Sequence, residues 1–205
     1  MLKLFDSTPS GNAFKIRLLL AQLGREYERV EINVTDIAKR DQRPAEMLRG
    51  NPNARVPALI LEDGRMLAES NAILCYLARG TAQLPDDPYD HARTLQWLFF
   101  EQNHHEPYIA VARYLVNYVD GERRFPDRLE LLRQSGNRAL QVMETHLAEH
   151  DYFAADRYTI ADNALFAYTH TSGEGGFDLA RYPKVSAWLR RVEAQPGFVA
   201  MKPDA

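Results

Sequence analysis

The chain has 205 residues, of which 45% are hydrophobic and 26% charged, with a formal net charge of −3. That length supports one large domain or two small ones around a buried core, and no apolar run reaches the roughly eighteen residues needed to span a membrane. Residues 1–80 carry 12 Lys+Arg against 10 Asp+Glu (+2) and residues 81–205 carry 13 against 18 (−5), so two units with different partners are expected and neither is basic enough for nucleic acid.

The opening "MLKLF" lacks the charged n-region and long apolar core of a secretory signal. Leu2 and Leu4 alternate with Lys3 at strand spacing. Phe14, Ile16, Leu18, Leu19, Leu20, Ala21 and Leu23 follow at helical spacing, with Gly24 as the stop. "YERVEIN" alternates again, with Val30 and Ile32 on one face, and the polar segment "TDIAKRDQRPAEMLRGNPN" holds one short helix. "VPALILEDGRMLAES" predicts two short strands joined by a two-residue hairpin turn at Asp63-Gly64. "SNAILCYLARG" predicts a helix with Ser70 as N-cap and Gly80 as stop. The first domain is therefore β-α-β then β-β-α over residues 1–80, with a linker at 81–88 marked by "GTAQLPDDPYDHA".

Residues 89–205 predict an all-α domain. "DHARTLQWLFFEQNHHEPYIAVARYLVNY" is one long amphipathic helix that Pro107 should kink. "FPDRLELLRQSGNRALQVMETHLAEH" opens on Pro126 near its first turn. "TIADNALFAYTH" starts with Thr159 and Asp162 at capping-box spacing, and "YPKVSAWLRRVEAQ" is bracketed by Pro183 and Pro196. No internal repeat or low-complexity tract is present.

The chemistry concentrates at Pro9-Ser10-Gly11-Asn12, where the first strand turns into the first helix. Three roles are open to Ser10: helix cap, phosphate cradle, or contact with a reactive atom. One glycine is no Gly-rich loop and Walker spacing is absent, so phosphate is disfavoured. β-α-β followed by β-β-α is the thioredoxin arrangement, which keeps its CxxC at this point; here there is no thiol, so thiol chemistry must use a ligand's sulfur.

"PSGNAFKIRLLLAQLG", "NPNARVPALI", "ESNAILCYLA" and "YTIADNALFAY", in this order and at these separations, resemble the glutathione transferase superfamily, nearest to bacterial members of serine or Ser/Asn type, nu-like ones included. The resemblance implies a thioredoxin-like domain that binds glutathione as co-substrate and a helical domain that carries the electrophile site. It assigns Ser10, with Asn12 as second donor or substitute, to the glutathione thiolate; a hydroxyl donor and a helix N-terminus lower a thiol value of about 8.5. Ser7 and Thr8 are lesser alternatives, and Phe5-Asp6 stands where tyrosine-type classes keep their tyrosine. Pro57 is expected to be cis, presenting the Val56 backbone to the tripeptide as an added strand. Glu69 and Ser70 are assigned to the γ-glutamyl end, Arg43 and Arg55 to the glycyl carboxylate or nearby, and Glu101 to the ammonium in a neighbouring subunit of a homodimer. His105, Tyr108 and Tyr114 are expected at the electrophile pocket. The expected activity is glutathione S-transfer to a hydrophobic electrophile. The alternatives are reduction of a small disulfide at the same site and a non-catalytic ligand-binding or interaction module.

Other signals carry less. His146 and His150 stand at i, i+4 without a third ligand, so no metal is expected. Most of the aromatic residues Trp97, Phe99, Phe100, Tyr108, Tyr114 and Tyr118 are expected in the core, and Cys75, among Ile73, Leu74 and Leu77, is expected to be inert and buried. The single cysteine excludes an internal disulfide and fits a reducing cytoplasm.

Overall fold

The structure, a computed structural model, describes residues 1–35 and 43–202; part of the polar segment that follows "YERVEIN" lies outside the described residues. The chain divides into two units, Met1–Arg79 with the segment from Gln195 on, and Gly80–Ala194.

In the first unit the described elements run β1 (Leu2–Asp6), α1 (Gly11–Gln22), β2 (Tyr27–Glu31), α2 (Ala45–Gly50), β3 (Ala58–Ile60), β4 (Met66–Ala68) and α3 (Ser70–Ala78). The sheet order is β2-β1-β3-β4, with β1 parallel to β2 and the other pairs antiparallel. This is the thioredoxin-like β-α-β, β-β-α arrangement. Leu2, Leu4 and Phe5 of β1 are fully buried, as the strand's central position in the sheet requires. Phe5, Ile32, Met47 and Ala58 form a buried cluster to which Val30, Val56, Ile60 and Met66 add partly buried surface. α1 packs along α3, and its residues Ala13 to Leu20 are buried without interruption, Lys15 and Arg17 included.

The ends of α1 follow from side chain and backbone chemistry. Ser10 Oγ accepts the Ala13 N–H at 3.2 Å at one end. At the other, Gly24 (φ +61°) allows the Gly24 and Arg25 N–H groups to turn back to the Ala21 and Leu20 carbonyls. The β3–β4 connection differs from the expected two-residue turn. Leu61 N–H bonds the Arg65 carbonyl and Gly64 N–H the Leu61 carbonyl, so the loop has three residues, Glu62, Asp63 and Gly64. Gly64 sits at φ +84°, the left-handed position that a three-residue hairpin needs. Ser70 also departs from expectation. It is the first residue of α3, and the capping position is held by Glu69, whose side chain makes no cap bond.

The second unit is helical: α4 (Pro88–Phe100), a π-helical turn (Glu101–His105), α5 (Glu106–Val119), α6 (Gly121–Arg124), α7 (Pro126–His146), α8 (Ile160–Thr169) and α9 (Pro183–Glu193). Pro107 has no N–H to return to the preceding turn, and the π turn immediately before it absorbs the mismatch. Every residue of α8 is buried. Its start carries the complete capping box: Asp162 accepts from Thr159 N–H (2.9 Å), Thr159 Oγ1–H (3.2 Å), Phe153 N–H (3.2 Å) and Trp188 Nε1–H (2.9 Å). Burial pushes the Asp162 carboxyl up to about 6 against the pull of those donors. Trp97, Phe153 and Trp188 pack together around this point, with Trp97–Phe153 tilted at centroids 4.6 Å apart and Phe153–Trp188 edge to ring at 5.0 Å. Phe99 and Tyr118 are exposed instead of core. No helix among the described residues is long and apolar enough to cross a membrane.

Candidate functional site

The first unit brings the N-termini of α1 and α3 together. Ser70 Oγ donates to Asn12 Oδ1 at 3.0 Å, so residues 58 positions apart share one hydrogen bond. Ser10 and Asn12 are both half-buried, and Ser70 is buried. Two helix starts, a hydroxyl and an amide thus converge on a site suited to anionic oxygen or sulfur.

Ser10 is a cap, as its bond to Ala13 shows, and its own N–H donates to the Ser7 carbonyl at 2.9 Å. Accepting with the oxygen leaves the hydroxyl proton for donation elsewhere, so capping and ligand contact are compatible. The residues before it are tied down by a charged network that the sequence reading missed. Asp6, fully buried, accepts from Ser7 N–H at 2.6 Å and pairs with Arg29 and, at 3.5 Å, with Arg17. Thr8 N–H donates to Glu31 at 2.8 Å. Arg17 Nη2 donates both to the Thr8 carbonyl (3.3 Å) and to the Met201 carbonyl (3.1 Å), which joins the C-terminal segment to the β1–α1 loop. Burial lowers the Arg17 guanidinium, and the Asp6 carboxylate opposes that.

Glu69 is exposed and held at φ +68°, ψ 113°, a conformation that L side chains rarely adopt. A strained non-glycine residue beside a helix start, with its carboxylate in solvent, is a feature of ligand clamps. The Val56–Pro57 peptide is cis, as the resemblance implies, with Pro57 buried and Val56 half-buried just before β3. Arg55 is exposed; its carbonyl accepts from Asn51 Nδ2 at 2.6 Å. Arg43 is half-buried and turned to backbone, donating to the Asn33 carbonyl at 2.5 Å and the Ala54 carbonyl at 3.4 Å. The structure therefore joins Asn12 and Ser70 directly, leaves Ser10 two residues before Asn12 at the α1 cap, sets Glu69 next to Ser70 in sequence, and uses Arg43 as a brace for the Asn33 and Ala54 backbone.

A second missed residue is Lys15. It is fully buried, with Nζ 3.4 Å from Ser70 Oγ and 3.4 Å from Asn71 Oδ1. A lysine inside an otherwise apolar helix stretch was the available signal, since a buried ammonium requires polar partners.

In the helical unit, Glu101 and His105 are fully buried in the π turn, and His105 Nε2 lies 2.9 Å from Thr169 Oγ1. Glu101 is thus an interior side chain of this unit. Tyr108 and Tyr114 are half-buried, and Tyr114 leans on Tyr118 with centroids 5.6 Å apart. His146 and His150 stack at 4.4 Å, and among the described residues no group of three His, Cys, Asp or Glu side chains could hold a metal ion. Cys75 is half-buried and burial pushes its thiol up, which makes it a poor nucleophile.

Residues 1–79 match the family model of the "Glutathione S-transferase, N-terminal domain", and residues 95–196 that of the "Glutathione S-transferase, C-terminal domain". The chain belongs to the glutathione S-transferase family. A crystal structure of a glutathione S-transferase from Pseudomonas fluorescens is 45% identical with a TM-score of 0.92, covering 98% of both chains. The Escherichia coli protein named Disulfide-bond oxidoreductase YfcG is 30% identical over 94% of this chain and 89% of its own. The structure of Ure2p in complex with glutathione is 28% identical with a TM-score of 0.85, covering 96% of this chain and 95% of that one.

Proposed function

We propose that the chain binds glutathione in its first unit and holds the sulfur as thiolate for attack on an electrophilic small molecule. The observation that carries this reading is the Ser70–Asn12 hydrogen bond, which joins two helix N-termini beside the strained, exposed Glu69. Glu69 takes the γ-glutamyl ammonium, and the α3 start with Ser70 takes its carboxylate. The Val56 backbone pairs with the tripeptide, and Arg55 faces the glycyl end. Ser10 and Asn12 donate to the sulfur.

In transfer, the bound thiol loses its proton to solvent and the thiolate attacks the electrophilic carbon. A C–S bond forms, and the leaving group departs with its bonding pair. Donors at the sulfur lower the thiol pKa because they favour the charged form. Tyr108 and Tyr114 of the helical unit are the proposed source of the second substrate's wall; His105, expected there from the resemblance, is fully buried against Thr169 and is not part of it. A reducing cytoplasm, which keeps glutathione as the thiol, suits this chemistry. A homodimer is part of the proposal, with light scattering as its check; a mass at the monomer value of 23.5 kDa at micromolar concentration contradicts it.

A second reading shares the site and is favoured by the similarity to the Escherichia coli disulfide-bond oxidoreductase. The thiolate attacks one sulfur of a disulfide, a mixed disulfide forms, and the other sulfur leaves as thiolate. A second glutathione then resolves the mixed disulfide to oxidised glutathione and the free thiol. Calorimetric titration with glutathione, followed by rates on a chloronitroaromatic and on hydroxyethyl disulfide, separates the readings. Glutathione binding with faster turnover of the chloronitroaromatic supports the first, faster disulfide turnover supports the second, and no binding heat contradicts both.

A further inference from the structure

Lys15 stands on α1 one turn beyond Asn12, and its side chain is closed off from solvent. Its Nζ reaches the first two residues of α3, Ser70 Oγ at 3.4 Å and Asn71 Oδ1 at 3.4 Å. Ser70 Oγ in turn lies 3.0 Å from Asn12 Oδ1. The direction of these bonds follows from the donors involved. An ammonium has three protons and no lone pair, so Ser70 Oγ must accept from Lys15. A serine hydroxyl carries a single proton, and here it goes to Asn12, whose facing atom is the amide oxygen. The Asn12 Nδ2, which can only donate, is thereby the branch directed away from Ser70.

We propose that Lys15 is a positioning residue that sets the polarity of this chain, so that through Ser70 it fixes Asn12 with the amide nitrogen offered to the ligand's sulfur. The proposal rests on the reading that the site binds glutathione. Without the ammonium, Ser70 can turn its proton elsewhere, and the Asn12 amide can rotate to present its oxygen. A carbonyl oxygen next to a thiolate repels it, whereas an N–H stabilises it. The relay therefore acts on ionisation of the sulfur far more than on capture of the tripeptide.

The test compares Lys15→Met with wild type in two measurements. The first is titration of the bound thiolate by its near-ultraviolet absorbance. The midpoint should rise by about one pH unit in Lys15→Met. Glutathione affinity measured below both midpoints should stay within about threefold. In Lys15→Met combined with Asn12→Ala the midpoint should equal that of Asn12→Ala alone, because the relay works through Asn12. An unmoved midpoint in Lys15→Met, or a double variant shifted by the sum of the two, overturns the proposal.

The second measurement needs no ligand. The Asn12 side-chain amide resonances of nitrogen-labelled protein should move in Lys15→Met, and unchanged resonances overturn the relay. If wild type binds no glutathione, the functional reading fails, and these resonances still decide the relay. Should Lys15→Met not fold, Lys15→Gln takes its place under the same criteria, since glutamine can both donate and accept and leaves the polarity unset.

Discussion

Each unit of this protein contains a buried polar network, and the two are built to different ends. In the helical unit, four donors converge on one carboxylate, Asp162, and three of the four come from within nine residues of it. That network is closed and ends in aromatic core. In the first unit, the chain Lys15–Ser70–Asn12 begins in the interior and ends on a half-buried amide, while Asp6, Arg17 and Glu31 anchor the loop leading to Ser10. A closed network can only hold the fold, whereas one that ends at a half-exposed donor can also act on a ligand. The comparison predicts that damage to the first appears as lost stability and damage to the second as lost chemistry.

The largest expected effect is on the closed network. Asp162→Ala strands buried donors and removes the capping box, and should cost at least about 3 kcal/mol in denaturant unfolding. A loss below 1 kcal/mol would place the anchor of the helical unit elsewhere. The same group sets a pH dependence. Its folded value of about 6 lies above the roughly 3.9 of an unfolded chain, so the folded state holds the proton more tightly. The stability from this group is full below about pH 4 and is lost as pH rises through about 6. The gap between wild type and Asp162→Ala should therefore narrow over that window, and a gap that widens contradicts the sign.

The open network should fail differently. Glu69→Ala should weaken glutathione binding ten- to a hundredfold if an ion pair of about 1.5–3 kcal/mol is lost, with little change in the unfolding midpoint. Calorimetry that returns the wild-type affinity removes Glu69 from the site. A smaller effect sharpens the contrast. Because Glu69 sits at φ +68°, Glu69→Gly should be more stable than Glu69→Ala by about 1 kcal/mol, although both lose the carboxylate. Equal stabilities would mean the backbone there stores no strain.

Local chemistry was legible in the sequence where it governs structure. The alternation in "LKLF", Gly24 at the end of α1, and the Thr159–Asp162 spacing each led to the element now observed. The turn at Asp63-Gly64 was read one residue short, because a two-residue and a three-residue hairpin loop both place glycine at a left-handed position. A charge inside the apolar run of α1 signals a need for polar partners, but which residues partner Lys15 and Arg17 was not legible. Their partners lie 55 residues away at Ser70 and 184 away at Met201, and no spacing within α1 encodes those distances. The π turn at Glu101–His105 was read as a kink at Pro107; the proline signals a lost hydrogen bond but not how the backbone absorbs it. At the site, Ser10, Asn12, Glu69 and Ser70 were named through the family resemblance carried by the strand-to-helix junctions, but the bond that joins Asn12 to Ser70 required the fold.

The most direct test of the account is the near-ultraviolet titration of glutathione's thiolate bound to wild type, Asn12→Ala and Ser10→Ala. Loss of a donor to the charged sulfur should raise the midpoint by roughly one to two units in Asn12→Ala, with a smaller rise in Ser10→Ala, whose hydroxyl also serves the helix cap. Midpoints that coincide in all three proteins would contradict the assignment of the sulfur to the β1–α1 junction.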